Sequence, residues 1–229
     1  MKIVATSDIH GKLPEFISLP DYKQLTGDVL IIAGDLTANY KNDFIGQAAF
    51  INGRFERWTG EMKNYFNHII VIAGNHDAVW ERAPELIYDS NNYIYLKDSS
   101  VTLDGVKFWG TPWTKPFFDW GFNAQDDKRQ LIFDQIPEDV DVIISHGPPR
   151  FGTLDLVNNV YNNFKDEFTG DELLNELIER VKPKLFFCGH IHEGYGKTQL
   201  AMTTIYNCSY VDENYDERPP GTGYFTINI

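Results

Sequence analysis

The chain has 229 residues, 42% of them hydrophobic, with 33 acidic side chains against 20 basic ones and a net charge of −13. That length and apolar content suit one domain, expected over residues 1–229, with a full-sized core. No apolar run approaches the ~20 residues that cross a bilayer, so no membrane partner is expected; the acidic balance repels polyphosphate backbones and argues against long nucleic acid.

In chain order, "MKIVATSDIHG" begins with a strand-like run that Asp8 breaks, without a cleavage region, and no targeting segment is expected. "KIVAT" (2–6), "DVLIIAG" (28–34), "HIIVIAG" (68–74), "DVIISHG" (141–147) and "KLFFCGH" (184–190) are short apolar runs of the kind that form strands buried on both faces. Between them, Phe44, Ala48, Ile51, Phe55 and Trp58 step by 4, 3, 4 and 3, which lines one helix face, and Gly60 is expected to stop that helix. Residues 93–110 alternate instead and turn at Asp104-Gly105, which predicts antiparallel strands. Thr169 and Glu172 form a candidate capping box before Leu173, Leu174, Leu177, Ile178 and Val181, with Pro183 ending the helix. "TTIYNCSY" (203–210) and "GYFTINI" (223–229) add further strands. Strands alternating with helices predict an α/β fold, a mixed sandwich rather than one purely parallel sheet. The two cysteines, Cys188 and Cys208, sit in apolar runs, which speaks against a disulfide framework and for a reducing, cytoplasmic setting.

Sites in open α/β sheets form beyond the carboxyl ends of the strands. Those ends read "SDIHG", "AGDLT", "AGNHD", "SHGPP" and "GHIHEG", and they carry Asp8, His10, Asp35, Asn75, His76, Asp77, His146, His190 and His192. Of the six histidines, five fall on these turns and only His68 lies outside. A lone histidine at a strand end is commonly structural, whereas five on converging ends predict a metal site. Mixed imidazole and carboxylate donors suit manganese, iron or zinc better than calcium or magnesium. Such a positive centre would bind a small anion locally despite the acidic surface. Gly34, Gly74, Gly147 and Gly189 in these turns would let backbone approach the ions.

As a set, D-x-H, G-D, G-N-H-D, H-G and G-H-x-H resemble the calcineurin-like metallophosphoesterase superfamily, from Asp8 to His192. "YLKDSSVTLDGVKFWGTPW", "DWGFN", "SHGPP" and "HEGYG" are similar to the metallophosphoesterase-domain-containing proteins of animals and their microbial relatives, which look like class III cyclic-nucleotide phosphodiesterases. Animal members tend to carry Gly where this chain has His190. The resemblance implies a sandwich of two mixed sheets flanked by helices. It implies two divalent transition-metal ions, manganese before iron or zinc, with Asp8, His10 and His192 on the first, Asn75, His146 and His190 on the second, and Asp35 bridging. It implies attack of a hydroxide shared by the ions on a small phosphate ester. His76 would protonate the leaving group and Asp77 would orient His76, unless Asp77 is a turn-former.

Three substrate contacts are candidates. "FWGTPWTKPFFDWGF" (108–122) holds three of five tryptophans, Trp113 among them, and would either stack a nucleobase or belong to the core. Arg150 would pair a phosphate oxygen or stay solvated, and Tyr195 is a weaker candidate. The expected activity is phosphodiester hydrolysis, with cyclic nucleotides as one substrate. The alternatives are a phosphomonoesterase or protein phosphatase, or a binding scaffold. "GDLTANYKND" lacks the Arg-Gly that protein phosphatases of the superfamily carry after G-D, and a scaffold would have lost ligands.

Overall fold

The computed structural model describes residues 1–18, 23–38, 42–157 and 167–229. The first sheet holds β1 (Lys2–Thr6), β2 (Gly27–Ala33), β3 (Phe66–Ile72) and β4 (Ile94–Tyr95) side by side and parallel. The second holds β5 (Ser99–Leu103), β6 (Val106–Thr111), β7 (Val142–Ser145), β8 (Leu185–Cys188), β9 (Gly196–Leu200) and β10 (Thr203–Asn207). Its order is β9-β10-β8-β7-β6-β5, parallel in the middle and antiparallel at both edges. β11 (Phe225–Asn228) returns to the first sheet and pairs antiparallel with β1. The expected strands are therefore present, with the hairpin β5-β6 turning at Asp104-Gly105, and the two sheets are mixed.

The period-2 alternation of side chains explains why the strand runs are apolar throughout. Ile3, Ala5, Val29, Ile31, Ile70 and Ile72 point into a core shared with Phe108, Val142, Ile144, Leu185 and Phe187 of the second sheet. Their neighbours Val4, Leu30, Ile32, Ile69 and Val71 face the opposite way, onto Ile51, Phe55, Trp58 and Met62. Ile143, Phe186 and Ile205 likewise pack under Leu174, Leu177, Ile178 and Val181. The result is four layers, helix on sheet on sheet on helix. No helix among the described residues is long and apolar enough to cross a membrane.

Two helix boundaries differ from expectation. The first helical segment runs as α1 (Phe44–Ala49), a π-helical turn (Phe50–Phe55) and α2 (Glu56–Met62), so Gly60 lies inside it. Met62 is buried, and its packing holds the last turn in place. Gly60 serves a close approach instead: a Cβ there would meet Asn92 Nδ2 at 3.2 Å. Downstream come α3 (Val79–Arg82), α4 (Asp126–Phe133) and α5 (Glu172–Val181). The cap of α5 is Asp171, whose side chain accepts the Leu173 N–H, and not Thr169. Thr169 is drawn to the Asp155 carbonyl, and the same Asp171 carboxylate takes the buried Arg129 guanidinium at 2.7 Å. Lys182 then ends α5 in the left-handed region, one residue before Pro183.

Candidate metal centre

β1, β2 and β3 of one sheet and β7 and β8 of the other end at the same edge of the sandwich, and the chain leaves each end in a polar turn. Three groups of donors converge there: Asp8, His10 and His192; His10, Asp35 and His76; and Asp35, His146 and His190, each with its atoms within 4.8 Å of one another. Asn75 joins the third group, its Oδ1 lying 2.9 Å from His146 Nε2. Asp35 links the groups through both oxygens. Its Oδ1 is 3.3 Å from His146 Nε2 and its Oδ2 is 3.7 Å from His10 Nε2. All seven expected ligands are thus brought together, as is His76, whose Nε2 lies 3.9 Å from Asp35 Oδ2.

The local backbone is strained to do this. Asp8, His10, Asp35 and His190 adopt φ of 51°, 42°, 52° and 69°, a region that non-glycine residues occupy sparsely and mainly where the surroundings enforce it. Asp8 is enforced by partners: its carboxylate accepts the His190 N–H and the Ser209 hydroxyl. Glycine is required where the turns touch. A Cβ on Gly189 would collide with the Asp8 carboxylate and the Ser7 hydroxyl, and one on Gly74 with Asp35.

The donor chemistry fits cations. His192 Nδ1 lies 2.9 Å from the Asp212 carbonyl and His146 Nδ1 2.9 Å from the Ala33 carbonyl. A carbonyl only accepts, so both Nδ1 atoms donate, and in the neutral rings each Nε2 is left as a lone pair. These lone pairs face carboxylate oxygens: His192 Nε2 is 3.4 Å from Asp8 Oδ1 and His146 Nε2 is 3.3 Å from Asp35 Oδ1. Acceptors packed against acceptors repel unless positive charge sits among them. Without metal, a proton can serve. Burial would lower His146, but Asp35 and Asp8 outweigh it and raise it to about 9. Burial holds His10 down to about 4 and, with His146 beside it, His190 down to about 3, which keeps their lone pairs free. Despite burial, the surrounding imidazoles hold the Asp8 and Asp35 carboxyls below the usual range. Divalent ions held by these residues would replace the proton and relieve the same repulsion.

Asp77 is not placed to orient His76. Its buried carboxylate accepts the N–H groups of Leu36, Thr37 and Gly74, bracing the turn after β2 against the turn after β3. Burial and the nearby Asp35 push that carboxyl up to about 7 in spite of the three N–H donors. His76 Nδ1 is buried with no hydrogen-bond partner among the described residues. Its ring is instead stacked by Trp120, with centroids 4.2 Å apart and planes 24° apart.

The three candidate substrate contacts are engaged in structure. Trp113 is buried, donates to Asp98 Oδ2 at 2.7 Å and carries the Lys128 ammonium 3.7 Å from its ring centroid. Arg150 is paired with Glu172. The Tyr195 hydroxyl accepts the Gly223 N–H and donates to the Tyr224 carbonyl, while its ring stacks on Phe225. Two residues that sequence reading did not single out border the centre: Trp120, and Tyr215, whose ring packs edge-on to His10 and His192 at 4.8 and 5.1 Å. Trp120 was legible only as one of the aromatics in 108–122. Tyr215 lies in the acidic stretch "VDENYDER", which carries no signal for a site. Residues 39–41 of "GDLTANYKND" lie outside the described residues.

Comparison with known proteins gives a consistent likeness. The family model described as calcineurin-like phosphoesterase matches residues 1–194. The chain is 35% identical to metallophosphoesterase domain-containing protein 1 of Homo sapiens over 96% of this chain and 69% of the relative, with the same values for the Mus musculus protein. Among solved structures, it is similar to the protein TT1561 of Thermus thermophilus at a TM-score of 0.56 and 16% identity, covering 91% of this chain and 88% of that one, a likeness of fold.

Proposed function

The chain belongs to the calcineurin-like phosphoesterase family of metal-dependent hydrolases of phosphoric esters, and from that premise we propose that it is a dinuclear phosphodiesterase for small substrates, cyclic nucleotides among them. One observation carries this reading: the two oxygens of Asp35 face different donor sets, Oδ2 toward His10 and Oδ1 toward His146. Asp8, His10 and His192 would hold one ion, Asn75, His146 and His190 the other, and Asp35 both; the mixed nitrogen and oxygen donors suit manganese, iron or zinc better than calcium or magnesium, and the family likeness puts manganese first. The ions, when bound, would clamp the phosphoryl oxygens and supply a nucleophile from water at neutral pH.

The chain's own residues do the rest. Only two carboxylates, Asp8 and Asp35, belong to the proposed ligand set, so the neutral imidazoles and the Asn75 amide leave the centre positive toward an anionic ester. The Ala33 and Asp212 carbonyls fix the tautomers of His146 and His192, so that both present Nε2. His76, outside the ligand set, would hold a proton for the departing oxygen. A diester suits this better than a monoester, whose extra charge would hold it to the centre as a product does. The two cysteines are free and buried, which supports a reducing, cytoplasmic setting.

The test is elemental analysis of protein purified without chelator, followed by a panel of phosphate diesters and monoesters. Close to two transition-metal ions per chain and higher catalytic efficiency on at least one diester are expected. No metal, even after incubation with Mn²⁺, would sink the dinuclear reading. Equal efficiency on a simple monoester and every diester would remove the substrate preference.

A further inference from the structure

We propose that Trp120 is the positioning residue for His76: its indole, not the Asp77 carboxylate, sets the plane in which the imidazole meets the leaving group. The inference rests on the reading of His76 as proton donor.

A histidine that moves a proton is ordinarily oriented by a hydrogen bond on its far nitrogen. Here that bond is missing among the described residues, since His76 Nδ1 is buried and unpartnered. The neighbouring carboxylate of Asp77 is taken up by three backbone N–H groups. What the ring does meet is Trp120, face to face at 4.2 Å. His10 also packs against it in an edge contact, at 4.6 Å with planes at 86°. Stacking on one face and an edge contact beside it leave the ring little freedom to rotate.

The indole is itself fixed to the loop it supports. Gly121 donates its N–H to the Asn75 carbonyl at 3.0 Å, the residue before His76. A Cβ on Gly121 would meet Ala78 Cα at 2.7 Å, so glycine is needed for this approach. Arg82 donates to the Trp120 carbonyl at 2.8 Å and to Asp119 at 3.1 Å, and Glu81 accepts the Phe122 N–H. The segment carrying Trp120 is thus bolted to the turn and helix that follow His76. Loop and imidazole hold their relation without a side-chain hydrogen bond to His76 Nδ1 among the described residues.

The experiment uses the full chain and two readouts. Trp120 is half-buried and its carbonyl, not its ring, accepts from Arg82, so Trp120→Ala retains that bond. First, the ring C–H resonances of His76 in metal-free protein are followed by NMR. A stacked indole shifts them upfield. Trp120→Ala should move them downfield and Trp120→Phe should restore part of the shift. Second, manganese-loaded protein is assayed on an alkyl diester and a nitrophenyl diester. Trp120→Ala should lose about ten- to hundredfold on the alkyl ester, the scale that misplacing a catalytic group by about 1 Å produces. It should lose far less on the nitrophenyl ester, whose leaving group needs no proton, and Trp120→Phe should recover most of the alkyl activity. His76→Ala is run in parallel, with an expected loss of about 10²–10⁴ on the alkyl ester. Equal losses for both esters in His76→Ala would overturn the proton-donor reading. A His76→Ala that discriminates between the esters beside a Trp120→Ala that does not, or unmoved His76 resonances in Trp120→Ala, would overturn the positioning role alone.

Discussion

The carboxylate of Asp77 accepts the backbone N–H of Leu36 with both oxygens, at 3.0 Å each. It ties the turn that carries Asp35 to the turn that carries Asn75 and His76, and so holds two proposed ligands at a fixed separation. Asp77→Ala would leave three buried N–H groups, of Leu36, Thr37 and Gly74, without partners. At ~1–3 kcal/mol for each unsatisfied donor, a loss of at least about 3 kcal/mol is expected. Chemical denaturation measures it. If Asp77 acts as a brace, the remaining folded protein should keep the wild-type ratio of alkyl to nitrophenyl activity, whereas an orienting role would change that ratio.

Asp35→Ala should be the most damaging change among the ligands, because the carboxylate reaches both donor sets. Metal titration should find both ions weakened. His190→Gly, in contrast, should weaken mainly the ion near His146. Wild-type affinity for two ions in Asp35→Ala would overturn the bridging assignment.

Gly189→Ala is expected to disturb the centre without touching a ligand, since the added methyl would collide with the Asp8 carboxylate and the Ser7 hydroxyl. Asp8 accepts from His190 N–H and Ser209 and cannot shift without breaking those bonds. Lower metal affinity, most pronounced at the Asp8 side, is the expected result by calorimetry. An unchanged affinity would mean that the turn yields more freely than its packing implies.

Metal removal should destabilise the chain. Each ion bound to the folded state alone adds RT ln(1 + [L]/Kd), about 2.7 kcal/mol at a hundredfold excess over Kd. Thermal unfolding of chelated protein should therefore move up on adding Mn²⁺, and back on adding EDTA. A Tm indifferent to Mn²⁺ would count against an ion in the folded centre.

Tyr215 stands over the centre, 44% exposed, with its ring against His10 and His192. Tyr215→Ala should raise KM for a nucleotide diester about two- to tenfold, the equivalent of the ~0.5–1.5 kcal/mol of an aromatic contact. Metal content should not change. An unaltered KM would confine Tyr215 to packing.

The sequence alone determined the strands, the edge on which they end and the set of polar residues gathered there. Strands buried on both faces must be apolar throughout, as "DVLIIAG" and "HIIVIAG" are, and a carboxyl-end turn is where polar groups can collect without sitting in the core. Histidines confined to such turns therefore mark the candidate centre. The tertiary structure decided what neighbouring residues do. Asp77 follows His76 in the chain, yet its carboxylate turns to amides more than thirty-five positions earlier, because buried N–H groups of another turn compete for it and sequence adjacency carries no direction. Gly60 and Thr169 kept their local propensities but lost to packing of Met62 and to the Asp155 carbonyl. Trp120 and Tyr215 reach the imidazoles from segments 44 and 139 residues beyond His76. Contacts of that range arise only when the sheets close on each other, since no local pattern of charge or periodicity encodes which distant ring a side chain will meet.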